Sequence, residues 1–455
     1  MLGGVLHDPD RSCPGHAVGR LVSGLRDDFY RSFLPPWLSV RAQPTGPSAS
    51  PQSDPVCHIR LLELPECRNE TLNKRSIMMN IHAKSAALPP LSIVRPVLPE
   101  LGWIADDINT SFASGVVTNG GPQVRALEMW LDTYLGTPSL AFCNGEQALI
   151  ALLLAADVKG KEVILPSFTF AGSAHAVVLS GGIPVFADII GDLSPMLDAT
   201  DVERKIGPAT CAILAVDVYG FTSDYSTLHA VAKRHGLRFF IDSAPAFGSL
   251  HQGMCTGRFG DGQIFSFHAT KSFTTIEGGC LSTSDPELYA RASAVRNFGQ
   301  DANGECTSVG FNGKMSELNA ILGLAQRPFL EGHLQIRRQA AKRMISGLAQ
   351  VPGIRPCQPT GDQDPVWQYL PILVDAEEYG LDRDELMAAM ATHGVFVRRY
   401  YYPPCHKMPA YSAWNGQSLP KTEQLASAIL ALPIYNDMTE AECDRITALI
   451  AKLHR

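Results

Sequence analysis

The chain has 455 residues, 45% hydrophobic and 18% charged, with a formal net charge of −7. That length allows a large core and two domains, and that balance describes a globular protein without a basic surface for nucleic acid. No apolar run is long enough to span a membrane, and no basic-then-apolar secretory signal opens the chain. The eleven cysteines are scattered, with no C-x-x-C pair and no Cys/His cluster at zinc spacing. Reduced thiols in a cytoplasm are the simplest account, and no metal site is expected. The sequons at Asn69 and Asn109 then carry no weight.

Residues 1–77 are rich in Pro, Arg, Ser and Cys and show no sustained helical or strand period. Such a segment buries too little apolar surface to offset its ordering entropy, so a poorly ordered extension is expected. The chain turns domain-like after Met78–Met79, and the functional protein is expected to begin there. A large domain is expected over 78–330 and a smaller one over 331–455.

From about residue 120 the pattern is regular. Val124, Leu127, Leu131 and Tyr134 recur at helical spacing. "SLAFC" (139–143), "EVILP" (162–166), "IPVFAD" (183–188), "CAILAVDVYG" (211–220), "RFFID" (238–242), "GQIFSF" (262–267) and "GGCLST" (278–283) read as strands. Between them "QALIALLLAA" (147–156), "AGSAHAVVLSGG" (171–182) and "LHAVAKRHG" (228–236) read as helices, the last closed by its glycine. Apolar strands alternating with helices predict an α/β fold whose mostly parallel sheet is covered on both faces. Further on, a helix at 337–349 leads to "VWQYLPILV" and "GVFVRRYYYPP", which suggest a smaller α+β domain.

Several polar residues fall at predicted strand ends, where ligands of such sheets sit. They are Asn144–Gly145, Ser167, Asp242, Ser266 and Lys271. Singly each has an ordinary explanation: an Asp after a strand is most often a turn or cap residue, and a lone Lys is usually solvated. Together they match what pyridoxal phosphate requires. Lys271 offers an amine for the aldehyde, and Asp242 a carboxylate for the pyridine nitrogen. Gly145 and Ser266 offer a phosphate cup at a helix N-terminus, and Phe170 a flat apolar face. No G-x-G-x-x-G after a strand and no G-x-x-x-x-G-K-[ST] is present, which removes the usual dehydrogenase and kinase readings.

From residue 90 to 450 the chain resembles the DegT/StrS family of pyridoxal-phosphate-dependent nucleotide-sugar aminotransferases. The likeness is carried by "VVTNGGPQV" (116–124), "CNGEQALIALLLA", "EVILPSFTFAGSAHAVVLSGGIPVFADI", "IDSAPAFGS", "FSFHATKSF", "VRNFGQ" and "GFNGKMSELNAILGL", in that order. The resemblance implies fold type I: a large three-layer αβα domain, here the cofactor-binding one, with a smaller C-terminal α+β domain. It implies that Lys271 binds the cofactor covalently and relays a proton, and that Asp242 pairs the pyridine nitrogen. Ser266 and Gly145 would then hold the phosphate, and Phe170 would stack on the ring. Asn312 would reach the phosphate across a homodimer interface that shares two sites, unless it merely caps a helix. Thr118, Asn119 and His268 could line the substrate side.

Two positions depart from the family pattern. Glu146 stands where Thr or Ser is usual after the phosphate-loop glycine, and Pro245 where Gln or His is usual three residues after the cofactor Asp. A carboxylate near a phosphate is repulsive, and proline has no donor to offer. The implied reaction is transamination of a keto sugar carried by a nucleotide, with glutamate as donor. "FSFHATKSFTTIEGG" (265–279) together with "VRRYYYPP" (397–404) most resembles the branch of the family that acts at C4 of dTDP-4-keto-6-deoxyhexoses. Another keto sugar or cyclitol, or a regulator of this fold that binds cofactor without turnover, stays open. Arg398 and Arg399 read as surface charges that could instead meet a diphosphate, and "YYY" reads as core.

Overall fold

The computed structural model describes residues 89–455 apart from 192, 302 and 415. The expected extension over 1–77 and the start near Met78 lie outside the described residues.

Two helices, α1 (Leu101–Ser114) and α2 (Pro122–Leu135), precede the sheet. The sequence pattern does not announce α1, because only Ile104 and Ser111 of its fourteen residues are buried. The chain then alternates through β1 (Ser139–Phe142), α3 (Gly145–Ala155), β2 (Glu162–Pro166), α4 (Ala171–Leu179) and β3 (Ile183–Ala187). A short pair, β4 (Ile189–Gly191) and β5 (Ser194–Leu197), leads to α5 (Ala199–Lys205), β6 (Thr210–Val216), α6 (Tyr225–His235) and β7 (Arg238–Asp242). Two-residue strands β8 (Leu250–His251) and β9 (Met254–Cys255) precede β10 (Gly262–Ser266) and β11 (Gly279–Ser282).

Seven of these strands form one sheet in the order β1-β11-β10-β7-β6-β2-β3. The run β10-β7-β6-β2-β3 is parallel, and only β11 opposes its two neighbours. Every residue of β1 and β11 is buried, as expected of a sheet covered on both faces. Helix α3 is buried almost all round, which is why its sequence has little polar face. Helix α6 ends on Gly236 at φ 66, the left-handed conformation that glycine adopts without a Cβ clash.

Strand β6 stops at Val216, short of the expected Gly220. The carboxylate of Asp217 is fully buried, accepting from the hydroxyls of Tyr225 and Ser243 at 2.5 Å each and from Ser223 N at 3.1 Å. Those bonds turn the chain out of the sheet, and Tyr219 follows at φ 61.

Beyond β11 come α7 (Pro286–Arg296), α8 (Glu317–Gln326) and α9 (Leu330–Leu348). A second, antiparallel sheet in the order β12-β14-β15 is built from β12 (Ile354–Pro356), β14 (Leu370–Val374) and β15 (Ile429–Leu432), while β13 (Gln363–Asp364) pairs with β8. Helices α10 (Ala376–Tyr379), α11 (Arg383–Thr392), α12 (Pro420–Ala428) and α13 (Glu440–Leu453) complete this smaller α+β part. Leu91 joins its core from the other end of the described chain, bridging to Val395. No helix among the described residues is long and apolar enough to cross a membrane.

Glu317 ties α8 to α2. Its side chain is fully buried, and its two oxygens accept from the backbone N–H groups of Gln123 and Val124 at 2.8 and 3.0 Å. Two orphan donors of α2 are thereby satisfied by a residue nearly two hundred positions away. Glu317→Ala should cost on the order of 3 kcal/mol, since it strands both donors and leaves a void. Thermal denaturation measures this, and a melting temperature equal to wild type would refute the assignment.

Candidate active site

The loop between β10 and β11 is a hairpin end that carries Lys271. Phe267 pairs with Gly278 (N to O, 2.7 Å), Thr275 N bonds Phe267 O at 2.9 Å, and Lys271 N bonds His268 O at 2.9 Å. The start of α3 lies directly against this hairpin. A Cβ at Gly279 would sit 2.5 Å from Gly145 N, and one at Gly145 would sit 2.9 Å from Ser266 Cβ. Both distances are shorter than real Cβ contacts, so these positions must be glycine. Asn144 caps α3 by accepting from Gln147 N at 2.8 Å. The first N–H groups of α3 have no acceptor within the helix, and they open beside Ser266.

Beyond the carboxyl ends of β2, β6, β7 and β10 lies a cavity of about 500 Å³. Lys271, Asp242, Gly145, Ser266, Phe170 and His268 all line it. Asp242 is only 5% exposed. One of its oxygens accepts from Ser173 Oγ at 2.6 Å and the other from Ala244 N at 3.0 Å. Burial pushes its carboxyl up, while these donors and the field of Lys271 pull the other way. Lys271 is half-buried. Burial brings its amine down to about 8, against the opposing pull of Asp242 and with a contribution from Arg337. A lysine titrating near 8 is neutral for roughly a tenth of the time at pH 7, against a few parts in ten thousand for an ordinary lysine.

Phe170 is 65% exposed and stands over the cavity next to Gly172, where a Cβ would meet its ring at 3.2 Å. His268 turns its Nδ1 inward to accept from Thr270 N at 3.2 Å, which leaves Nε2 facing Glu277 at 3.6 Å. Glu146, exposed in the first turn of α3, and Pro245 both line the same space.

Three other sequence candidates lie elsewhere on this chain. Asn312 is exposed and bridges to Asn297, and the cap of α8 is Ser316 rather than Asn312. Thr118 is exposed, and Asn119, at φ 60, borders a separate groove with Lys314 and Met315. The tyrosines expected as core are only partly so. Tyr400 and Tyr401 pack on the core with one face but line the cavity with the other. Tyr402 is exposed between Arg383 and Arg399. Ser173 was not foreseen. Its signal was the small polar residue on the otherwise apolar start of α4, where a partner for Asp242 had to stand.

The profile of the DegT/DnrJ/EryC1/StrS aminotransferase family matches residues 103–451, over most of which the elements just described extend. The chain belongs to that family. It is 32% identical over 366 residues to dTDP-4-amino-4,6-dideoxy-D-glucose transaminase of Shigella dysenteriae, covering 80% of this chain and 99% of the relative. It is 33% identical over 374 residues to GDP-perosamine synthase of Caulobacter vibrioides, covering 80% and 98%. Among solved structures it resembles DesI crystallised in the presence of its TDP-sugar product, with a TM-score of 0.74 and 34% identity over 80% of this chain and 92% of the other. The aminotransferase therefore has the fold type I architecture, and its family is one of pyridoxal-phosphate-dependent enzymes.

The cavity of this aminotransferase fits such a cofactor on its own evidence. Two glycines let the start of α3 lie against β11 and Ser266 as no Cβ would allow, that helix N-terminus opens into the cavity, and an amine and a buried carboxylate share its walls. If the field of Asp242 holds up the proton affinity of Lys271, Asp242→Asn should lower the pH midpoint at which Lys271 becomes reactive. Mass-spectrometric labelling of Lys271 by an amine reagent across pH 6 to 11 reads this. A midpoint unchanged or raised would show that the two groups do not interact.

Proposed function

We propose that this aminotransferase moves an amino group from glutamate to a keto sugar carried by a nucleoside diphosphate, with a dTDP-4-keto-6-deoxyhexose as acceptor. The single observation that carries the proposal is an amine, Lys271, sharing one cavity with a buried carboxylate, Asp242. The names of the relatives support a nucleotide sugar, and they include both dTDP and GDP carriers.

Pyridoxal phosphate, when bound, supplies the electron sink that makes the Cα–H of an amino acid acidic. The residues of this chain hold it and move the proton. Lys271 Nζ would hold the cofactor through its aldehyde carbon, and as a free amine it would be the base that takes the Cα proton and returns it. Asp242 would keep the ring nitrogen protonated, and Ser173 and Ala244 N fix its carboxylate in place. Gly145 N–H and Ser266 Oγ take the phosphate at the start of α3. Phe170, on the cavity wall, would offer the ring a flat apolar face. Asn312, exposed and outside the lining of its own cavity, serves the phosphate site of a second copy in a homodimer. Thr118, Asn119 and His268 serve the sugar. In this reading the large cofactor-binding domain spans 78–330 and the small domain 331–455.

Glu146 and Pro245 favour a second reading, a regulator that binds cofactor without turnover, because each replaces an expected donor. The two separate on one experiment. Protein loaded with pyridoxal phosphate should be yellow, lose that colour on adding glutamate, and regain it with the keto sugar while an amino sugar appears. Retained colour in glutamate would favour the regulator. Lys271→Ala should lose the reaction by on the order of 1,000-fold or more, and Asp242→Asn should slow the first half by on the order of 100-fold. Full activity in Lys271→Ala would defeat the proposal.

The departure at Glu146 has its own test. Removing a negative charge from the rim of the cup should tighten binding of a dianionic phosphate by roughly several-fold at low salt. Fluorescence titration of Glu146→Thr with pyridoxal phosphate should show this gain, fading as salt is raised. Equal affinity at all salt concentrations would mean that the carboxylate points away from the phosphate.

A further inference from the structure

We propose that Arg337 is a positioning residue for Lys271, gripping the backbone on both sides of that lysine through two buried amides, Asn436 and Gln368. The inference rests on the reading of Lys271 as the cofactor-bearing amine.

The carbonyl that follows Lys271, Ser272 O, accepts from Asn436 Nδ2 at 2.9 Å. The carbonyl that precedes it, Thr270 O, accepts from Gln368 Nε2 at 2.6 Å. Both amides are almost fully buried, at 4% and 2% exposed. Both lead to Arg337 on α9. Its Nε donates to Asn436 Oδ1 at 2.5 Å, and one of its terminal nitrogens donates to Trp367 O at 3.2 Å, next to Gln368. His333, one turn earlier on the same helix face, approaches Asn436 Nδ2 at 3.3 Å. Trp367 holds φ 54, an unfavourable conformation for a bulky residue that the surrounding contacts must impose.

Packing alone gives no reason for an arginine here. Arg337 is 3% exposed, and no ion pair joins it to a carboxylate among the described residues; Asp437 is the acid whose field it feels. A buried cation without a partner acid is costly, and an apolar side chain would fill the space at less cost. The planar fork, however, can orient two amide-bearing segments at once, which no apolar side chain can. The same fixed charge opposes a second positive charge on Lys271 and so favours its neutral form. Asp242 acts in the other direction. The remaining charged or titratable groups on the cavity walls are His268, Glu277, Glu146 and the tyrosines at 369, 400 and 401.

If Arg337 only stapled α9 to its surroundings, its loss would lower stability and leave Lys271 chemically unchanged. The test therefore reads Lys271 itself, in the full-length chain. Purified protein is treated with pyridoxal phosphate and borohydride, and separately with an acetylating reagent that needs no cofactor. Labelling of Lys271 is followed against pH. Arg337→Met should move the labelling midpoint to higher pH, with less neutral amine at pH 7, because a charge that opposes protonation of Lys271 is gone. Arg337→Lys, which keeps the charge, should restore the midpoint. A folded Arg337→Met variant with the wild-type midpoint and rate overturns the proposal. Should Arg337→Met fail to fold, the double variant Gln368→Ala/Asn436→Ala decides instead. A several-fold slower labelling at high pH supports the proposal, and an unchanged rate overturns it. Wild type that is acetylated at Lys271 but never captured by pyridoxal phosphate would defeat the cofactor reading, while the acetylation profiles would still decide the role of Arg337.

Discussion

The site depends on one close approach: the first residue of β11 passing over the first residue of α3. Only two glycines, Gly279 and Gly145, permit it. Because they do, a helix N-terminus with unpaired donors lies in contact with the hairpin that bears Lys271. A methyl group on either residue would separate the anion-binding end of the site from its amine. The antiparallel strand in an otherwise parallel sheet serves the same end. By reversing direction, β11 turns the end of β10 into a hairpin rather than a crossover, and so holds the lysine over the carboxyl edge of the sheet.

Around that contact the electrostatics are balanced at short range. Asp242 is buried and supported by two donors, and its own carbonyl accepts from Asp217 N at 3.0 Å. Asp217, behind it, is pushed up to about 7 by burial, with the charge of Asp242 adding to the push. Burial favours a proton on Asp217 against the pull of its hydroxyl donors, and a proton there spares Asp242 some of the repulsion of a second full charge. Lys271 is pulled in two directions, by Asp242 in front and Arg337 behind. The amine is thus set by its burial and by groups on two separate elements, neither near it in sequence.

Much of this was legible in the sequence, and what was not has a common cause. The buried strands announced themselves because apolar residues were unbroken along them. The amine, its carboxylate and the glycines stood at strand ends, where a parallel sheet collects ligands. Helix α1 escaped because its apolar residues face solvent as well as protein. Tyr400, Tyr401 and Glu277 escaped because nothing local marks them, and Ser173 because a small polar residue at a helix start is an ordinary feature. Their meaning comes from which strand end they meet, and that depends on strand order. Gln368 and Asn436 are the extreme case: two ordinary amides in the smaller part of the chain whose only distinction is the carbonyl each one reaches. Glu146 and Pro245 were visible as departures from a family pattern, and both do line the cavity, so a resemblance was informative where it broke down.

The span of those amide contacts bears on how the protein comes into being. Thr270 is held by a residue 98 positions later and Ser272 by one 164 positions later. Contacts across such separations form late, after the entropy of closing long loops has been overcome. During synthesis the sheet with its glycine cradle can assemble while most of the smaller sheet is still missing. The reactive amine gains its final setting only when the last strand and helix dock. Order of synthesis therefore separates the building of the anion cup from the arming of the lysine, and a chain cut short near its end would carry the first without the second.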